Sequence, residues 1–314
     1  MFEICHPLVR AGGSLTILGS SVLIARKAKF RAVDIVIILL CIAAGVYAYY
    51  RIKYGLEYKG DWSAIPQFLL HRNEEGRLVP NYLLQGLITT LKLSIWATIL
   101  ATIVGITVGL FRTSKSLFLR MVGRTYVELI RNLPPLVLIF IFYFFVVDQI
   151  MPLLGVESFI RSRSESAKAI LEIFFAKESL FVQFISGIVT LAFFEGAYIT
   201  EVVRAGIESI ERGQLEAAYS LGLSWLDQMR FVVMPQAIKR VLPALANEFI
   251  NTIKYSAITS VVSIQELTFM GRQVVVATRY IFETWITVSA MYMVLTLTLS
   301  LLVGRLEEKM RRSD

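Results

Sequence analysis

Six stretches of this chain are each long and apolar enough to cross a lipid bilayer, and that pattern constrains its fold more than any other feature. A helix rises about 1.5 Å per residue, so about 20 apolar residues traverse the hydrocarbon core. The fold class expected is an all-α polytopic membrane protein with about six transmembrane helices. At 56% hydrophobic and 18% charged residues, the chain is more apolar than ordinary soluble domains, in which charged residues make up about 25%.

The first span is Val33–Tyr50, where Asp34 is the one charge and Tyr47, Tyr49 and Tyr50 form an interfacial belt. Residues 1–32 carry Arg10, Arg26, Lys27, Lys29 and Arg31 around an apolar patch too short to cross. They are expected to form a cytoplasmic segment without a cleaved signal, because Arg10, Gly12 and Gly13 interrupt its apolar start. Residues 51–80, with Asp61, Pro66, His71 and Gly76, are expected to be an extracytoplasmic loop or interfacial segment. Five further spans, at about 81–111, 126–147, 179–203, 237–262 and 281–303, form a core over 81–304, and a cytoplasmic tail follows at 305–314. Gly105 and Gly109 are a small-xxx-small pair suited to close helix packing. Pro134 and Pro135 predict a kink in the third span, Pro243 a bend in the fifth, and a short polar connection is expected between the fifth and sixth.

The net charge of +8 is scattered at the ends of apolar runs instead of forming a basic stripe with interleaved aromatics, which argues against nucleic acid as a partner. With six crossings, one side holds 18 lysines and arginines and the other 11. The richer side, which includes both termini, is expected to be cytoplasmic. Cys5 and Cys41 make no disulfide framework, no cofactor is expected, and no metal-binding pattern is present.

Between the fourth and fifth spans lies GQLEAAYSLGLSWLDQMRFVVMPQ, residues 213–236, too polar to be embedded. Gln214–Leu221 is helix-forming and Gly222 is placed as a left-handed C-cap. Ser224 with Asp227 is an N-terminal capping pair for a second short helix, which Pro235 is expected to stop. These signals predict a compact helical hairpin on the cytoplasmic side, within a loop at 206–236.

The spacing of Glu216, Ala217, Ala218, Gly222 and Pro235 resembles the EAA loop of bacterial ABC importer permeases. GLITTLKLS at Gly86–Ser94, YVELIRNLPPLV at Tyr126–Val137 and GAYITEVVRAGIESIERGQLEAA at Gly196–Ala218 narrow the resemblance to the polar amino-acid permeases of the histidine, glutamine and glutamate type. It covers about Asn81 to Arg311 and implies a type I ABC importer permease fold. The resemblance further implies that the hairpin is a coupling helix docking on a separate ATPase. The implied partners are two ATPase subunits, a second permease or another copy of this chain, and an extracytoplasmic amino-acid-binding protein. The implied function is import of polar amino acids across the bacterial cytoplasmic membrane. The chain itself would not be an enzyme, in keeping with the lack of a Gly-rich phosphate loop ending in Gly-Lys-Ser/Thr.

The chain departs from that family at Lys254, Tyr255, Ser256, Ala257 and Ile258, where Lys-Asp-Thr-Ser-Leu is common, and the loss of the Asp puts a basic cargo in doubt. The first 80 residues and the outer segment 157–178 look like additions to a five-span core.

Ionisable groups at bilayer depth usually face a cavity or a partner. Lys92, Glu128, Glu195 and Lys254 are the candidates, with Glu128 and Arg131 near a boundary. Counting 1.5 Å per residue from Arg204 and Arg240 puts Glu195 and Lys254 at comparable heights near the midplane. They either line the translocation path with Tyr255, Ser256 and Thr259, meeting the two charges of a zwitterion, or serve structure, as an ion pair or as separate hydrogen-bonded groups that hold helices together. An ion-gradient secondary transporter is the alternative function, although no repeated half is visible. An intramembrane enzyme lacks a catalytic set.

Overall fold

The computed structural model describes residues 32–55 and 61–311, in two units that divide between residues 59 and 60. Residues 1–31 of the expected N-terminal segment and 312–314 of the tail lie outside the described residues. The first unit is helix α1 (Ala32–Gly55), which extends past the expected end of the first span. Its 24 residues rise about 36 Å, and Ile35, Leu39, Ile42 and Val46 along it are exposed.

In the second unit, the segment expected to be a loop carries regular structure. A short turn at Trp62–Ala64, capped by Asp61, leads into α2 (Ile65–Leu69). Strands β1 (Leu70–Arg72) and β2 (Leu78–Pro80) pair antiparallel, with His71 opposite Val79. Gly76 closes the hairpin at φ +75°, where a Cβ would be strained. Asn81 ties this hairpin to the bundle: its Nδ2 donates to the Gln67 carbonyl (2.6 Å) and its Oδ1 accepts from the Tyr82 N–H (2.9 Å) as α3 (Tyr82–Thr113) begins.

The third span differs from its expected bounds of 126–147. The chain forms α4 (Leu117–Asn132) and then α5 (Pro135–Phe145), which runs through a π-helical turn at Val146–Ile150 into α6 (Met151–Leu153). The stretch long and apolar enough to cross is Pro135–Leu153. The proline pair breaks the helix instead of kinking it. Leu133 and Pro134 have ψ of 148° and 129°, because a residue before proline is pushed out of the helical region. Pro135 then restarts the helix at its first position, where no N–H is needed.

Outside this crossing come α7 (Val156–Arg161) and α8 (Glu165–Phe174), followed by α9 (Phe181–Glu208). The hairpin region holds α10 (Arg212–Ser220) and the single turn α11 (Trp225–Asp227). The fifth expected span is α12 (Met234–Ser256), continued by a tight turn of helix at Ala257–Val262. The connection expected to be short and polar is instead a 12-residue helix, α13 (Leu267–Thr278), before α14 (Ile281–Arg311).

Helix α3 packs along α9, and α12 packs against both. Gly105 and Gly109 make the α3–α9 approach possible: a Cβ on Gly109 would lie 2.7 Å from Cγ1 of Val203, well inside contact distance, as the small-residue pair predicted. Leu93, Ala97, Val127, Ile139, Leu191 and Phe194 fill the main core between α3, α4, α5 and α9. Among the described residues, α3, Pro135–Leu153, Glu178–Glu208 and Ile281–Arg305 are apolar enough to cross on their own account. Helix α12 carries Lys239, Arg240, Glu248 and Lys254 and is held in the bundle by packing against α9, α3 and α14.

Candidate coupling surface and buried membrane site

The hairpin is built from local rules. Helix α10 ends at Ser220 with Leu221 as its C-cap, and Gly222 takes φ +76°. That turn lets the Leu223 N–H reach back to the Ala218 carbonyl (3.2 Å) and the Gly222 N–H to Tyr219 (2.9 Å), satisfying carbonyls that a helix end leaves open. Ser224 restarts the helix: its Oγ accepts from the Asp227 N–H (3.3 Å) and donates to Asp227 Oδ2 (2.5 Å). Both caps were legible in the sequence.

Pro235 does not stop the second arm. Helix runs from Trp225 through a π-helical stretch, Gln228–Val233, directly into α12. A proline in a regular helix clashes with the carbonyl four residues back and leaves it without its donor. The wider π turn just before Pro235 relieves that clash and lets the helix continue. The hairpin is therefore one short helix folded against the first turns of a membrane helix.

Ala218 faces inward and is buried, whereas Glu216, Ala217, Gly222 and Pro235 are exposed. Tyr219, Leu221, Leu226 and Phe231 project beside them, and Leu221 is 81% exposed. So much bare apolar side chain on one small hairpin marks an interaction surface. Its base is tied down: Gln236 Nε2 donates to Gln214 Oε1 (2.6 Å), and Arg240 Nη1 donates to the Ser209 carbonyl (2.5 Å) and Oγ (2.8 Å).

Just above this base lies a charge ladder that the sequence reading missed. Arg112, at the end of α3, pairs with Glu201 of α9. Glu201 also accepts from Arg204 (2.8 Å), and Arg204 pairs in turn with Glu208. The spacing Glu201, Arg204, Glu208 was a readable i,i+3 and i,i+4 signal; the long-range partner Arg112 was not.

Of the arrangements open to the charges at membrane depth, the structure does not show the ion pair: Glu195 and Lys254 are not bonded to each other. Glu195 is wholly buried and neither carboxylate oxygen has a hydrogen-bond partner among the described residues. Its charged neighbour on α12 is another acid, Glu248. Lys254 is exposed, with Nζ 3.4 Å from Asn251 Oδ1. The buried face of α12 here is Thr252, Ile253 and Ser256, and one residue past Ile253 is turned about 100° away. Ser256 and Thr259 are also buried, their hydroxyls donating to the carbonyls of Ile253 (2.7 Å) and Ser256 (2.6 Å). Tyr255 joins an aromatic group next to Glu195, 5.3 Å from Phe194 and stacked on Tyr198 at 6.4 Å, with the Arg131 guanidinium 5.5 Å over the Tyr198 ring.

The other candidate charges have local partners. Glu128 pairs with Arg124 (2.7 Å), and Lys92 donates to the Glu172 carbonyl of α8 (2.7 Å). Two buried acids were not anticipated. Glu266 accepts from the Phe269 N–H (2.7 Å) and the Tyr292 hydroxyl (2.6 Å). Glu283, on the first turn of α14, is buried with both oxygens unpartnered among the described residues. No group of three potential metal ligands converges among the described residues.

A multi-helix membrane bundle that carries a tethered, apolar-tipped hairpin between two of its crossings is the architecture of a multi-pass permease component. Residues 101–312 match the family described as binding-protein-dependent transport system inner membrane component, and the chain belongs to that family. A probable glutamine ABC transporter permease protein GlnM of Bacillus subtilis is 33% identical over 230 residues, 73% of this chain and 94% of the relative. The glutamine transport system permease protein GlnP of Escherichia coli is 30% identical, covering 72% and 93%. Among solved structures, an amino acid ABC transporter with histidines matches with a TM-score of 0.57 at 33% identity, over 73% of this chain and 94% of that one. The MetNI methionine ABC transporter, at 19% identity and a TM-score of 0.53, shares the fold. The chain is thus an inner-membrane permease subunit and not a catalytic enzyme.

Proposed function

We propose that this permease subunit carries a polar amino acid inward through an ABC importer, with ATP hydrolysis on separate subunits docked at the 213–236 hairpin. The exposed apolar tip of that hairpin, braced at its base, is the observation that carries the reading. Two ATPase subunits, a second permease or a second copy of this chain, and an extracytoplasmic amino-acid-binding protein complete the complex, with both termini of the chain cytoplasmic. The names of the 30–33% identical relatives favour glutamine or a similar side chain as cargo. Nothing in the family or the relatives supports the ion-gradient alternative.

In this reading Glu216, Ala217, Gly222 and Pro235 present the docking face, and Ala218 anchors α10 beneath it. Lys254 and Tyr255 line the path on the α12 side. Glu195 stands behind the Tyr198–Tyr255 stack and reaches cargo when that stack opens, while Ser256 and Thr259 hold the tight helical turn that positions them. Co-purification of an ATPase and ATP-dependent amino-acid uptake in proteoliposomes test the proposal. Glu216→Lys should uncouple hydrolysis from uptake, and Glu195→Gln and Lys254→Met should slow uptake in complexes that assemble normally. Unchanged coupling in the first variant would discard the docking role, and parental rates in the other two would discard the lining role.

A further inference from the structure

At the end of the bundle opposite the hairpin, the β1–β2 hairpin, α3, α8, α9 and the segment before α13 enclose a cavity of about 410 Å³. That volume lies in the range of small-molecule sites, about 300–1,000 Å³. It is a different place from the membrane-depth residues: Gln183 on its wall is 12 residues before Glu195 on the same helix, about 18 Å along the axis.

The chemistry of the wall is selective. Elsewhere in the outer segment charges neutralise one another: Glu157 pairs with Arg161 (2.5 Å), and Lys168 bridges Glu165 (3.1 Å) and Glu178 (3.0 Å), bonds that hold its ammonium above the ordinary lysine pKa. Glu172 and Lys177, which line the cavity, make no direct ion-pair contact among the described residues, although the Glu172 carboxylate is near enough to attract the Lys92 ammonium. Lys92 uses one of its three N–H donors on the Glu172 carbonyl, which leaves two for a ligand. Gln183 and Gln265 also line the cavity, with side-chain amides that make no hydrogen bond among the described residues. The roof is fixed, not loose: Trp96 stacks on Phe175 with centroids 4.8 Å apart and donates its indole N–H to the Phe174 carbonyl (3.0 Å).

From this placement we infer that the cavity is a second binding site, for a free zwitterionic amino acid with a hydrogen-bonding side chain. Lys92 and Lys177 take the α-carboxylate, Glu172 takes the α-ammonium, and Gln183 and Gln265 meet the side-chain amide or carboxylate. The site holds cargo at the outer mouth before it moves to membrane depth, so the inference rests on the transport reading above. Part of its wall, including His71, comes from residues preceding the family match, which begins at residue 101.

The test uses the whole permease–ATPase complex in lipid nanodiscs without binding protein, with radiolabelled L-glutamine, L-glutamate and L-histidine tried in turn. Saturable binding of at least one is expected, and Lys92→Met and Glu172→Gln should each weaken it about tenfold, the effect of one charge-assisted hydrogen bond. Glu172→Gln alters an exposed side chain without a packing role, which guards against a folding defect. Glu165→Gln, whose carboxylate serves Lys168 away from the cavity, should bind as the parent does. Absence of saturable binding for all three probes, or parental affinity in both cavity variants, overturns the inference. ATP-dependent uptake by the unaltered complex, measured on the same preparation, separates the two readings: uptake with parental affinity in the variants sinks the outer site alone, and absence of uptake sinks the transport reading.

Discussion

The ladder Arg112–Glu201–Arg204 makes an asymmetric prediction. Arg112 and Glu201 side chains are 17% and 20% exposed, between a surface pair, worth about 0–1 kcal/mol, and a buried one, whose breakage costs about 3–5 kcal/mol. Glu201 serves two guanidinium groups at once, so Glu201→Gln removes both attractions and leaves two like charges facing each other in a half-dry site. A cost of about 3 kcal/mol follows. Arg112→Gln leaves Glu201 still bonded to Arg204 at 2.8 Å and should cost about 1 kcal/mol. At about 2–4 °C of Tm per kcal/mol for a chain of this size, the two variants should lose about 6–12 °C and about 2–4 °C. Thermal unfolding of purified complex in detergent, followed by tryptophan fluorescence, reads both values. Because the residues share partners, the double variant should lose less than the sum. Equal losses in the two single variants, or a larger one for Arg112→Gln, would refute the reasoning.

Gly222 has open space where a Cβ would sit but φ +76°, so Gly222→Val should cost about 1–2 kcal/mol through backbone strain alone. ATPase stimulation by cargo should fall while the membrane core keeps its protease resistance. Gly109→Leu drives side-chain atoms into Val203 and should cut the yield of folded, monodisperse protein on size exclusion far more than the same change at Gly304, which has nothing nearby. Tyr292→Phe removes the hydroxyl that donates to Glu266 Oε2. With Thr268 and Phe269 still donating to the carboxylate, the loss should cost about 1 kcal/mol in the same thermal assay.

What the sequence disclosed was what depends on near neighbours. Gly222, Ser224 and Asp227 act within three or four residues, so the caps of the hairpin could be written down from their order. The glycines 105 and 109 needed only a helical register to become a packing groove. The break between α4 and α5 is hard to read because Tyr126, Val127, Leu129 and Ile130 are apolar and adjoin Pro135–Phe145, yet Val127 and Ile130 belong to the buried stripe of the separate helix α4. Pro235 was read by its local effect, and the π turn at Gln228–Val233 that absorbs it has no signature in the residues themselves.

The charges at membrane depth show where such reading stops. Height along a helix is a matter of counting, which is how Glu195 and Lys254 come to be compared at all. Facing is not a matter of counting, because it depends on which side of α12 the rest of the bundle covers. With Thr252, Ile253 and Ser256 turned inward, Lys254 must look outward, and no property of Lys254 or its neighbours fixes that choice. The same geometry explains Glu195: buried among Phe194, Tyr198 and Tyr255 with a second acid as its neighbour, it has no ion-pair partner within the described chain. Glu195 and Lys254 therefore have different surroundings, one inside an aromatic group beside a second acid and the other on the outer side of α12, and a count of residues along each helix cannot tell these two facings apart.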